Sequence, residues 1–248
     1  IARYPRHQLS NEARLWRALS FFAERDYATA LEALKVLAPT VKGGRLEPEV
    51  AYRIASTYYA MRDYELALSS INAYLNSYPQ HTRTDEARVL LGDIEMGRGE
   101  LATARAIYMD ISPNAGHLFV YSTFQAGKIL RAVAGAAENK VARERLLSSH
   151  IEHFQNYLNR EDVPFKGRIS EALYWIGWTH VERDEEDLAR MIFQQALKLY
   201  GDDIDSGDVP NIIDAYARIE KRLLGVGKKE RDARLKSWIE EEKAKAQQ

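Results

Sequence analysis

His150-Ile151-Glu152-His153 sets two imidazoles and a carboxylate close together, a grouping that metal binding or acid-base catalysis could use. On a helix His150 shares the stripe of Leu147 and Phe154 while Glu152 points elsewhere, so the three donors do not converge and no metal is expected there. His180 has no nucleophile or carboxylate at a recognisable catalytic spacing and is expected to pack. Asp202-Asp203-Ile204-Asp205-Ser206-Gly207-Asp208 has the composition of a calcium loop, but counted from Asp203 the fifth and sixth positions hold Gly207 and Asp208 where a ligand and a glycine are needed. Gly225-Val226-Gly227-Lys228-Lys229 lacks the first glycine, the Ser or Thr after lysine and the preceding strand of a phosphate loop. Cysteine is absent, which removes thiol chemistry and disulfides. No catalytic residue, metal or cofactor is therefore expected, and the chain reads as a non-enzyme.

The elements that carry these residues are helical. Between Glu49 and Pro79, Ala51, Ile54, Ala55 and Tyr58 form one apolar stripe. After a break at Met61-Arg62-Asp63, Tyr64, Ala67, Leu68, Ile71, Tyr74 and Leu75 form a second, and Tyr78-Pro79 stops it. That is a helical hairpin whose small residues Ala55 and Ala67 permit close backbone approach. Ala30, Ala67 and Ala104 recur at intervals of 37 residues, and Tyr4-Pro5 with His7, Glu12, Ala13 and Arg14 repeats as Tyr78-Pro79 with His81, Glu86, Ala87 and Arg88. The proline of the repeat pattern ends one hairpin before the next helix opens. Gly43-Gly44 reads as an inserted loop. Glu12, Glu49, Glu86 and Glu171 are expected in the first turns of first helices, favoured by the helix dipole, with Ser10, Thr84 and Ser170 as N-caps.

The spacing predicts one elongated domain over 1–248: the tail of a preceding repeat at 1–9, then hairpins at about 10–38, 48–78, 84–111, 117–159, 168–200 and 209–246. The last helix, with Leu235, Trp238 and Ile239 before an acidic run, reads as a solubilising cap. With 46% hydrophobic and 29% charged residues the chain can bury a core. A net charge of -1 provides no global field for nucleic acid, and no apolar run reaches the ~20 residues needed to cross a bilayer. A chain opening on Ile1 suggests a piece of something longer, with a possible tether before it.

Ile54, Ala55, Tyr58, Ala67, Ile71, Tyr74 and Pro79, and in part Leu91, Gly92, Ala104, Tyr108, Ile176, Gly177, Ala189, Phe193 and Ala196, follow the pattern of tetratricopeptide (TPR) repeats. The Tyr-Pro units resemble bacterial cell-envelope members: the lipoprotein subunit of the outer-membrane assembly machine and the Tol-Pal associated protein. That resemblance implies an all-α, right-handed α-α superhelix of about six hairpins with the first helices lining a concave wall. It would turn Leu15, Leu19, Phe22, Tyr52, Ser56, Tyr59, Val89, Asp93, Met96, Phe124, Lys128, Arg131, Tyr174, Trp178 and Val181 inward. Of these Phe22, Tyr52, Tyr59, Phe124, Lys128, Arg131, Tyr174 and Trp178 are the expected contacts for a peptide or helix. The implied role is a protein-binding scaffold in the periplasm or on the periplasmic face of the outer membrane, with the cytoplasm as the alternative. A regulatory or positioning domain of a larger enzyme, such as a cell-wall hydrolase, is the rival.

Overall fold

The computed structural model describes residues 8–163, 167–200 and 209–224. Eleven α-helices and one short 3-10 turn occur among them, with no strand: α1 Gln8–Ala23, α2 Tyr27–Val41, α3 Glu47–Ala60, α4 Tyr64–Ser77, α5 Thr84–Gly97, α6 Leu101–Met109, α7 His117–Gly135, α8 Lys140–Asn159, α9 Ile169–Glu182, α10 Glu186–Tyr200 and α11 Val209–Leu224. The chain divides within α7 into two compact units, Ile1–Ala126 and Gly127–Gln248. The calcium-like run 202–208, the glycine-lysine run 225–229, the terminal cap and the Tyr4-Pro5 motif lie outside the described residues.

One turn is reused at four hairpins. Arg25, Arg62, Gly99 and Asp184 adopt φ of 64°, 61°, 84° and 59°, the left-handed conformation that ends a helix. In each, that residue's N–H reaches back three residues and the next residue's N–H reaches back five, as in Asp63 to the carbonyl of Tyr58 and Asp184 to that of Val181. The acidic residue that follows, Asp26, Asp63, Glu100 or Glu185, thus closes one helix just before the next begins. The carboxylates of Asp26 and Asp63 accept the N–H groups of Thr29 and Leu66, capping α2 and α4.

Side-chain caps thus stand before the second helices α2 and α4 and not before the first helices α3, α5 and α9, which corrects the expectation for the first. Ser10 and Ser170 lie inside α1 and α9, and Thr84 opens α5 with its hydroxyl donated backwards to the carbonyls of His81 and Tyr78. The Tyr-Pro-x-His motif explains this arrangement. His81 Nδ1 accepts both the Arg83 N–H and the Tyr74 hydroxyl, pinning the turn against α4, and burial pushes Tyr74 up to about 12. The first-turn glutamates do more than meet the dipole. Glu12 pairs with Arg45 and Glu49 with Arg83, each a link from one repeat to the next, while Glu12 itself lies beyond the first turn of α1.

Helix spacing inside each hairpin follows from paired side-chain sizes. Ala18, Ala55, Gly92 and Gly177 are followed sixteen residues later by Leu34, Ile71, Tyr108 and Phe193, all buried. An aliphatic partner leaves room for a methyl group; an aromatic one does not. A Cβ on Gly92 would lie 2.7 Å from Tyr108 Cε1, and one on Gly127 would lie 2.5 Å from Phe154 Cζ in the hairpin with the longer connection. Ala55, Ala67, Ile71, Tyr74, Ala87, Leu90 and Ile94 form one core in the first unit. Leu173, Ala189, Phe193, Ala196, Leu197, Ile212, Tyr216 and Ile219 form another in the second.

Candidate interaction surface on the first helices

In the first unit, α1, α3 and α5 present equivalent positions one repeat apart: Leu15, Tyr52 and Val89; Leu19, Ser56 and Asp93; Phe22, Tyr59 and Met96. Leu15 and Val89 are buried, whereas Leu19, Phe22, Tyr52, Ser56, Tyr59, Asp93 and Met96 are all half-buried, which leaves a face with surface to offer. Direct packing of α3 on α5 carries this face from one repeat to the next.

Asp93 lies on that face and joins three elements. Its Oδ1 accepts the hydroxyls of Tyr108 from α6 at 2.6 Å and Tyr121 from α7 at 2.8 Å. Burial raises the carboxyl above its ordinary value, and the two hydroxyls offset this only in part. Both tyrosines are driven upward by burial and then by the Asp93 charge, so they remain neutral donors. Tyr59, tilted against Tyr64 with ring centroids 6.1 Å apart, is raised by burial and next by Asp93.

Tyr52 occupies a different setting. The guanidinium groups of Arg53 and Arg83 lie 5.8 and 5.4 Å from its ring centre, and the Tyr74 ring meets it edge-on at 5.9 Å. Both arginines also bind Glu49; although burial works to raise that carboxyl, they hold it below the ordinary range. Phe22 packs on Tyr27 at 5.1 Å.

Phe124 is 1% exposed, a core ring, so the expectation that it meets a partner is corrected. Its position on α7 shares the helical period of the surface residues, and periodicity alone does not tell a groove from a core. In the second unit Arg131 lies 4.7 Å over the Trp175 ring and pairs with Glu182, so its charge is already spent within the fold. Lys128, one turn before it, is exposed. Tyr174 and Trp178 stack at 6.3 Å and rest against the core of their unit, half-buried, with Val181 beside them.

His150 is buried and bonded to Thr179 at 2.9 Å. Thr179 donates its one hydroxyl proton to the Trp175 carbonyl, so it accepts from His150, which places the imidazole proton on Nδ1. Burial, then the charge of Arg131, lowers His150 to about 3 and keeps it neutral. His153 meets the edge of Phe154 instead, and among the described residues no three His, Asp or Glu are placed to hold a metal ion. His180 bonds Glu185, a carboxylate that sequence reading had not assigned to it, within the turn between α9 and α10.

Tyr108, Tyr121, Trp175 and Glu182 were missed as members of these networks, and so was Trp16, which is 69% exposed on α1. The only sequence signal was the Gly92 to Tyr108 spacing, which marks close packing without revealing Asp93 as the acceptor.

Comparison with known proteins agrees with this geometry. A family model described as an outer membrane lipoprotein (YfiO) matches residues 8–107, and a tetratricopeptide repeat model matches residues 171–203. This chain has a tetratricopeptide-repeat fold. Its fold is shared with the C-terminal part of a TPR repeat-containing protein from Cytophaga hutchinsonii, at 18% identity and TM-score 0.59 over 94% of this chain and 80% of that one. A tetratricopeptide repeat protein from Parabacteroides merdae gives 14% identity and TM-score 0.57 over 94% and 78%. MamA from Desulfovibrio magneticus gives 17% and 0.53 over 77% and 96%. No curated protein sequence matches significantly. The repeat fold is that of protein-interaction scaffolds, and the lipoprotein match suggests the cell envelope. No helix among the described residues is long and apolar enough to cross a membrane.

Proposed function

We propose that this TPR protein is a non-enzymatic scaffold of the bacterial envelope, on the periplasmic side, that holds an extended or helical protein segment against the first helices of the unit Ile1–Ala126. The observation that carries this reading is the half-buried set Leu19, Phe22, Ser56, Tyr59, Asp93 and Met96, at equivalent positions on three successive first helices. Side chains of that kind combine apolar area with hydroxyl and carboxylate groups, which suits capture of a peptide segment. In the second unit, Lys128 and the Tyr174–Trp178 stack retain surface for contact, while Arg131 there and Phe124 in the first unit serve the fold. The net charge of -1 speaks against nucleic acid as the partner. A tether preceding Ile1 would place the scaffold at the membrane.

A photoreactive residue at Ser56 or Met96, set against controls at the exposed Lys35 and Asn72 of second helices, tests the surface in envelope extract. Adducts are expected from the first pair alone, and Tyr59→Ala is expected to lower their yield tenfold, about 1.4 kcal/mol of affinity, with the helical spectrum unchanged. Equal yields from both faces, or indifference to Tyr59→Ala, would remove the proposed site.

A further inference from the structure

Several buried or half-buried carboxylates in the first unit are matched with arginines. Glu12 has Arg45, Glu49 has Arg53 and Arg83, Glu86 has Arg83, and Glu95 has Arg98. The half-buried Glu47 and Asp85 have no such match among the described residues, and neither does Asp93. Among the described residues no lysine or arginine pairs with it, and the groups arrayed around it are hydroxyls: Tyr108 from α6, Tyr121 from α7, and Tyr59 from α3 within electrostatic reach. Tyr108 and Tyr121 both donate to Oδ1, which fixes the plane of the carboxylate and leaves Oδ2 with no protein donor among the described residues. A carboxylate fixed by two neutral donors, half-removed from water and flanked by tyrosine rings, has the composition of a receptor for a cation. Oδ2 accepts a charge-assisted hydrogen bond while the rings supply π faces. The energetic direction agrees, because burial of this unpaired group is costly and an incoming cation offsets that cost.

We propose that Asp93, held by Tyr108 and Tyr121, receives an arginine or lysine side chain of the protein segment that lies along α3 and α5. This rests on the groove reading above and adds the charge of the residue that the groove selects. A purely structural Asp93 would serve only to join α5, α6 and α7, and Asp93→Asn separates the two roles. The amide oxygen still accepts both tyrosine hydroxyls, but the charge is gone.

The test is an NMR titration of the full chain with N-acetyl-arginine amide, and with its neutral isostere N-acetyl-citrulline amide, up to the millimolar range suited to a single side chain. Saturable shifts at Asp93, Tyr59 and Tyr121 are expected for the arginine probe, at least tenfold tighter than for citrulline, weakened by salt and abolished in Asp93→Asn. Saturating arginine amide is also expected to move the Asp93 carboxyl titration to lower pH in the wild-type chain, a readout that needs no variant to fold. Equal responses to the two probes, an arginine response retained in Asp93→Asn, or no arginine response would each overturn the proposal. Cross-linking at Ser56 without arginine selectivity would keep the groove and remove the role of Asp93; arginine selectivity without cross-linking would do the reverse.

Discussion

Gly177→Ala is the sharpest perturbation of the packing rule. A Cβ on Gly177 would stand within 2.8 Å of three ring atoms of Phe193, where ordinary contact begins at 3.4 Å. The ring would have to retreat by more than half an ångström, yet it is fully buried among Ala189, Ala196, Leu197 and Ile212, with the Tyr174 ring 6.3 Å away. Parting α9 from α10 instead would open the rest of their interface. Overpacking of this kind costs about 1 to 3 kcal/mol, and the better helix propensity of alanine returns up to about 1 kcal/mol. A net loss of roughly 0.5 to 2 kcal/mol is expected. Phe193→Leu removes the ring and costs on the order of 1 kcal/mol as a partial cavity. Gly177→Ala placed on that background is expected to cost nothing further, because it recreates the Ala55 with Ile71 and Ala18 with Leu34 combinations that the first unit uses. The assay is urea unfolding of the four proteins of the cycle, followed by circular dichroism and by fluorescence of Trp175 and Trp178 in the same unit. A favourable coupling of at least about 1 kcal/mol is expected. Additive losses, or an unperturbed Gly177→Ala, would refute the reasoning that ring size sets the helix separation.

Arg62 stands in the left-handed conformation with φ of 61° at a turn where Gly99 serves one repeat later. Arg62→Gly is expected to stabilise the chain by about 0.5 to 1 kcal/mol, seen as a higher melting temperature. His150 is neutral in the fold down to about pH 3 because burial disfavours its charge, whereas the unfolded chain takes up that proton near pH 6.5. Its stabilising contribution is thus complete above pH 6.5 and is lost as pH falls towards 3, by up to about 1.4 kcal/mol per pH unit. His150→Gln is expected to flatten that part of the stability profile in urea titrations between pH 4 and 7.

Periodicity made the helices legible. The break at Met61-Arg62-Asp63 is the turn between α3 and α4, and the small residues Ala55, Ala67, Gly92 and Gly177 are buried at close packing points. What repeats every 37 residues is local chemistry: an apolar stripe, a turn that reverses the chain, and a small residue facing a large one, all readable from neighbours within one hairpin. The N-caps were misread because Ser and Thr are general helix starters, whereas here His81 and the left-handed turns satisfy the backbone in their place.

The candidate surface was legible only as a set of positions. Tertiary structure decided which of them keep a free face: it buried Phe124 in the core, and it brought Glu182 to Arg131 from 51 residues away and Tyr121 to Asp93 from 28. The physical reason is the range of the determinants. A helical stripe is set by contacts three and four residues apart, which any stretch of sequence displays. The pairing of a charge depends on which helices stack and at what rotation, and a one-residue change in any intervening loop would alter it without changing the stripe. Sequence by itself thus determined the hairpins and the side chains they carry, and packing between hairpins determined that Arg131 has its counter-charge within the fold while the donors that Asp93 finds among the described residues are hydroxyls.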